Sequence, residues 1–203
     1  MYVITGDSGV FVVDPSVLPE KAEAYCELPG LSKGECPVKA ILLTHGHHDH
    51  IKFVGEWIRA YPSAQVFFSS NDKDLINNGY MNCSYMEGTQ ITYDFKYTNI
   101  SGMYGTSIYK DDVADIRILE TPGHTMGSVC YLFCLNGEEM LFTGDTVFQG
   151  SVGRTDMPGG SSKELVNSVR RISRMDPALK IYPGHGPDST IGDELKFNPF
   201  FEM

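Results

Sequence analysis

The sequence predicts an α+β fold in which two β-layers carry helices on their outer faces. Three observations lead there. Short apolar runs rich in Val, Ile, Phe and Tyr recur along the whole chain, and these residue types fill half-buried pleated strands. Helical periodicity is confined to fewer places. The two kinds of element interleave in both halves, without the strict alternation of a doubly wound parallel sheet.

In chain order, YVIT (2–5), VFVVD (10–14) and VKAILLT (38–44) read as strands, and KFVGEWIRAY (52–61) as a helix. QVFFSS (65–70) follows as a strand and NDKDLINN (71–78) as a short helix. DIRILET (115–121), SVCYLFCL (128–135) and EMLFTG (139–144) are strands again, the last two joined through the Asn-Gly of LNGEE (135–139), a strong hairpin signal. SSKELVNSVRRISRM (161–175) is the clearest helix: Leu165, Val169, Ile172 and Met175 share one face, and Ser161 with Glu164 forms a capping box. LKIYPG (179–184) completes the strands. Between Tyr80 and Asp112 the periodicity is poor, and six of the eleven tyrosines fall there. They read either as a surface excursion whose rings cap the core, or as a substrate-facing rim or oligomer contact, since amphipathic rings suit each.

A chain of 203 residues without a Pro/Gly-rich linker reads as one domain spanning 1–203. Sixteen Lys and Arg against 26 Asp and Glu leave a net charge of −10. Such a surface repels phosphate backbones and anionic lipid, so neither nucleic acid nor membrane is an expected partner. No run approaches the ~18 apolar residues of a membrane span, and MYVITGDSGVFVVDPS lacks the marks of a signal peptide. The five cysteines (Cys26, Cys36, Cys83, Cys130, Cys134) are odd in number and contain no Cys-x-x-Cys pair. Free thiols and a cytoplasmic location are therefore expected.

The six histidines are not scattered. His45, His47, His48 and His50 lie in THGHHDHI, His124 in TPGHTMGS and His185 in YPGHGPDS. Each group follows a strand and has glycine beside it, and a fourth loop of this kind, FTGDTVF, carries Asp145. Loops at strand ends with small residues are where rigid sites are built. Residues two apart in an extended segment point the same way, so His45 and His47 can grip one ion. Asp49 and His50 come after the chain turns and face a second ion. One expected site is His45, His47 and His124; the other is Asp49, His50 and His185, with the Asp145 carboxylate shared. His48 is expected to face solvent or to touch ligand residues rather than an ion. Nitrogen-rich donor sets suit zinc or iron and are wrong for calcium or magnesium. Two divalent ions are expected, zinc first, with iron or manganese as alternatives.

His45-x-His47-x-Asp49-His50, followed by Gly-His124-Thr, Gly-Asp145-Thr and Gly-His185-Gly, resembles the metallo-β-lactamase superfamily over almost the whole chain. The resemblance implies a four-layer αβ/βα sandwich with a dinuclear centre at one edge. Within that family, GDTVFQGSVGRTDMPGG (144–160) and YPGHGPDSTIGDELKFNPF (182–200) are similar to the glyoxalase II-like, or hydroxyacylglutathione hydrolase-like, branch. Lys52 and Phe53 stand where relatives usually carry Gly-Gly. The helical extension by which glyoxalase II holds glutathione is not expected, nor is the strand that usually precedes the one matching YVIT.

With two ions in place, a bridging hydroxide would form near neutral pH and attack a carbonyl carbon. Asp49 would orient that nucleophile as the catalytic carboxylate. A thiolate leaves without a strong general acid, because thiol pKa values lie near ~8.5. A small-molecule thioester such as a hydroxyacylglutathione is thus the expected substrate. Two alternatives stand beside this one. Persulfide dioxygenases of the same fold resemble the GRTD stretch and use one iron on residues matching His45, His124 and Asp145, an arrangement with open positions suited to oxygen chemistry. The other is a non-catalytic metal-binding module on the fold. Arg154 and Asp156 are expected to form an ion pair that shapes the loop beside Asp145.

Overall fold

A computed structural model describes residues 1–28 and 38–202, and Cys36 lies outside them. The apolar runs assemble into two main sheets. The first contains β1 (Tyr2–Gly6), β2 (Gly9–Val13), β3 (Val38–Leu42), β4 (Gln65–Phe68) and β5 (Thr98–Asn99), in that spatial order. β1 and β2 form an antiparallel hairpin, and the other neighbours pair in parallel. In the second half β6 (Ser107–Lys110), β7 (Ala114–Glu120), β8 (Val129–Leu135) and β9 (Glu138–Gly144) pair antiparallel in succession. A small separate hairpin, β10 (Val147–Phe148) with β11 (Ser151–Val152), follows. β12 (Lys180–Pro183) then returns parallel to β9, with β13 (Ser189–Thr190) beside it at the edge.

Alternation along the strands builds the layers. Phe11 and Val13 of β2 point into a central core with Ala40 and Leu42 of β3, and meet Ile116, Ile118, Tyr131, Phe133 and Phe142 of the second sheet. Val10 and Val12 point to the opposite face, where Ala22 of α1 (Pro19–Cys26) and Val54 and Trp57 of α3 (Val54–Ala60) cover them. On the far side of the second sheet, Cys130, Leu141 and Ile181 pack against Leu165, Val169 and Ile172 of α5 (Ser162–Ile172) and Ile191 of α6 (Ile191–Phe197). The result is the expected α/β/β/α arrangement. Both faces of β2 are covered, which is why VFVVD reads as an unbroken apolar run. Two shorter helices, α2 (His48–Ile51) and α4 (Lys73–Ile76), lie beside the loops that follow β3 and β4. No helix among the described residues is long and apolar enough to cross a membrane.

Among the elements beyond the sequence reading are α1, α6 and β6. The capping box at Ser161 forms only in half. Ser161 Oγ accepts from the Glu164 N–H at 3.4 Å, but the Ser161 N–H donates to the Gly123 carbonyl at 2.8 Å. The helix start is thereby tied to the His124 loop. The tyrosine-rich segment divides its roles. Tyr93 is buried in the core, with Tyr97 packed against it and ringed by Phe68 and Phe95. Tyr80 and Tyr85 instead stack on each other at the surface, with centroids 4.8 Å apart.

Candidate metal centre

Four chain segments bring the site residues to one edge of the sandwich, each just past the C-terminal end of a strand. β3 runs into Thr44–His47 and then α2, β7 into the loop holding His124, β9 into Asp145 and β12 into His185. His47 keeps extended backbone while the next residue starts α2, so the segment 45–50 changes direction between its two pairs of candidate ligands. Gly184 is required by the close approach: a Cβ there would lie 2.3 Å from Asp145 Oδ1 and 2.5 Å from His50 Cε1.

The structure brings all seven candidate ligands into overlapping groups. His45, His47 and His124 form one, His45, His50 and Asp145 a second, and Asp49, His50 and His185 a third, with donor atoms within 4.8 Å of one another in each. In the first group His47 Nδ1 lies 3.1 Å from His45 Nε2 and 2.9 Å from His124 Nε2. In the third, His185 Nε2 lies 3.0 Å from Asp49 Oδ2 and 3.3 Å from His50 Nε2. Asp145 stands between them. Its Oδ1 is 3.2 Å from His50 Nε2, and its Oδ2 is 3.5 Å from His124 Nε2 and 3.7 Å from His185 Nε2.

The outward-facing ring nitrogens decide which atoms point inward. Thr44 Oγ1 donates its one proton to Asp14 Oδ2 at 2.6 Å, so at 3.0 Å it accepts from His45 Nδ1. His124 Nδ1 donates to the Arg154 carbonyl at 2.7 Å, and His50 Nδ1 to Asp14 Oδ2 at 2.8 Å. Burial, chiefly, holds the pKa of His45 well below the ordinary imidazole value, brings His47 to about 3 and lowers His124. These rings are neutral, so the Nε2 atoms of His45 and His124 present bare lone pairs. His47 Nδ1 lies against both, and even with a proton it can satisfy only one. Three crowded nitrogens with too few protons fit a cation between them: ligands at about 2.0–2.1 Å in a tetrahedron lie roughly 3.3 Å apart. The buried Asp145 Oδ1 likewise has no hydrogen-bond partner. The donor set and its outer hydrogen bonds, which fix ring tautomer and direction, therefore fit transition-metal ions.

The other groups follow the same logic. For Asp49, burial alone would raise the pKa, but the His185 hydrogen bond and the charges of His50 and His185 hold it well below the carboxylate range. Asp145 is lowered too, the His50 charge overriding its burial. His50 is raised well above the ordinary value, because Asp14 and Asp145 outweigh its burial, and His185 is raised chiefly by its bond to Asp49.

Sequence reasoning passed over three supporting residues. Asp14 and Thr44 hold His50 and His45, as described. Asp72, fully buried, accepts from the Gly46 N–H at 2.9 Å, the Gly127 N–H at 2.6 Å and Thr125 Oγ1 at 2.7 Å, clamping the loop after β3 to the His124 loop. Neither Asp14, which closes VFVVD, nor Asp72, at a helix start, is marked as a site residue by its local sequence. His48 does not face solvent. It is 2% exposed, pairs through Nδ1 with the Tyr93 hydroxyl and has Nε2 3.5 Å from Glu87, because α2 turns it back under the segment after α4. Arg154 and Asp156 do pair, through two contacts of 2.7 Å. A cavity of about 430 Å³ opens above the cluster, lined by His47, Asp49, His124, Asp145 and His185 and by side chains of the β10–β11 region.

Comparison with known proteins places this geometry in context. A model of the metallo-beta-lactamase superfamily matches residues 1–185. The probable polyketide biosynthesis zinc-dependent hydrolase PksB of Bacillus subtilis is 32% identical over 197 residues, covering 95% of this chain and 76% of that protein. Among solved structures, the BLEG-1 B3 metallo-beta-lactamase superposes with a TM-score of 0.83 at 30% identity, covering 99% of this chain and 93% of its own. The protein TTHA1623, solved in a di-iron-bound form, gives a TM-score of 0.80 at 30% identity over 98% of this chain and 93% of its own.

Proposed function

This chain belongs to the metallo-beta-lactamase superfamily, and on that premise we propose that it is a dinuclear-metal hydrolase of the glyoxalase II-like branch, acting on thioesters. The observation that carries the proposal is the second ligand group, Asp49, His50 and His185, beside the first, with Asp145 reaching both. His45, His47 and His124 would hold one ion and Asp49, His50 and His185 the other, zinc fitting the nitrogen-rich set, with iron or manganese as alternatives. Bound ions of this kind lower the pKa of water and polarise a carbonyl.

The chain's own groups do the rest. Asp49 lines the cavity, stays ionised and is positioned by His185, so it would orient the attacking water by accepting a hydrogen bond from it. Few proton donors in the cavity are free to serve a poor leaving group. His48 is engaged by Tyr93, Arg154 by Asp156, and the Cys83 thiol by the Met81 carbonyl at 3.7 Å. A thiolate needs no such donor. The branch-like stretches have a structural use here: Asn198 of the NPF stretch bonds the Ser151 carbonyl at 2.9 Å and the buried Glu194 at 2.8 Å, bracing the β10–β11 wall. The free cysteines among the described residues support a cytoplasmic setting.

The test is Asp49→Ala, with metal content, hydrolysis of a thioester panel and oxygen uptake on a glutathione persulfide measured on one preparation. The dinuclear reading expects loss of one ion and of ~10²–10⁴ in turnover. A mononuclear iron dioxygenase, needing only His45, His124 and Asp145, would lose about 10–100-fold. Retention of both metal and thioesterase activity near wild type overturns the assignment.

A further inference from the structure

We infer that the cavity over the metal ligands is an acyl-chain pocket walled by methionines, and that its substrates carry an unbranched apolar acyl group. For the reaction this rests on the thioester reading; for binding it stands alone. The cavity, about 430 Å³, lies in the range of small-molecule sites. Above the ligand floor, the lining takes Met86 and Cys83 from the turn after α4 and Phe148, Val152 and Met157 from the β10–β11 region. Met86 is 62% exposed, although it belongs to a segment held down on both flanks by buried contacts. Before it, Ser84 Oγ donates to the Gly79 carbonyl at 3.0 Å, and after it Tyr93 pairs with His48. The segment is thus fixed while its methionine stays uncovered at the mouth. Flexible thioether side chains from two separate segments adapt to a chain of methylenes better than to a rigid polar group.

Charge excludes the obvious polar occupants. Among the described residues Arg154 is the only Lys or Arg lining the cavity, and its Nε and Nη2 are both bonded to Asp156 at 2.7 Å. Lys52, near the rim, is held by Glu87, and Glu87 adds negative charge to the lining. A carboxylate-bearing acyl group meets repulsion and no free cation among these residues, whereas an alkyl chain meets an apolar wall.

Isothermal titration of n-alkanoates, butanoate to decanoate, into the metal-loaded protein tests this. The carboxylate is common to the series, so the trend isolates the chain. Affinity should rise about two- to fourfold per methylene until the cavity fills. Met86→Ser combined with Met157→Ser should at least halve the logarithmic slope, while Leu195→Ser, exposed on α6, should leave it intact. Affinity independent of chain length, or a slope that survives both serine substitutions, overturns the pocket. Hydrolysis of acetyl, hexanoyl and decanoyl thioesters on the same preparation separates the two readings. A slope in kcat/KM matching the binding slope supports both. Hydrolysis without a slope in either measurement overturns the pocket alone. Chain-length-dependent binding with no thioester hydrolysed supports the pocket and overturns the thioester reading.

Discussion

Asp14 has backbone in the left-handed region, with φ of 51°, and is 3% exposed. Its two oxygens accept from the Thr44 N–H at 2.7 Å, from Thr44 Oγ1 and from His50 Nδ1. Asn tolerates that backbone conformation, so Asp14→Asn changes the chemistry and little else. One acceptor becomes an NH₂ facing donors. Metal affinity should fall about 10–100-fold, and stability by about 1–3 kcal/mol. Competition with a chelator reads the first; an unchanged affinity would show that another group sets the His50 ring. The candidate ligands were legible in the sequence, because four of them crowd into 45–50 and the rest sit in glycine-flanked loops. Asp14 and Asp72 were not. Their partners lie 26 to 55 positions away, and only the closed fold brings them into contact.

At the scale of elements, the long strands and α5 follow directly from periodicity. α1 and α6 escaped it for a physical reason: each is short and buries only two residues, Pro19 and Ala22 in one, Ile191 and Glu194 in the other. The half-formed cap of α5 has a mechanical meaning. Because Ser161 gives its N–H to Gly123, the first turn of the helix lies directly on the loop that aims His124. Gly123 has φ of +146°, and a Cβ on it would stand 2.3 Å from Leu165 Cα. Gly123→Ala must therefore push α5 and the His124 loop apart. Urea unfolding should show a loss of about 3 kcal/mol, with metal stoichiometry falling in parallel. A variant that keeps full metal content would mean that Asp72, not α5, sets the loop.

Across the whole molecule, the site joins the two halves. The 45–50 segment belongs to the first sheet, whereas His124, Asp145 and His185 leave the second. Metal held between them would tie sheet to sheet and bind only the folded arrangement in full. Removing metal should lower stability by about 4 kcal/mol per site relative to free metal at a thousand times Kd, a difference that calorimetry with and without chelator resolves. Equal melting of both forms would separate the metal from the fold. The division of ligands also bears on how the chain is made. Unfolded, the protein still carries His45-x-His47-x-Asp49-His50 as a contiguous stretch, while its other three candidate ligands, His124, Asp145 and His185, stand far along the chain. An ion offered early is captured by this local stretch before the second sheet exists to complete its shell, and two such chains can share one ion. Refolding yield should therefore pass through a maximum with rising metal and then decline, the excess metal driving chains into aggregates; light scattering during dilution from denaturant would register it.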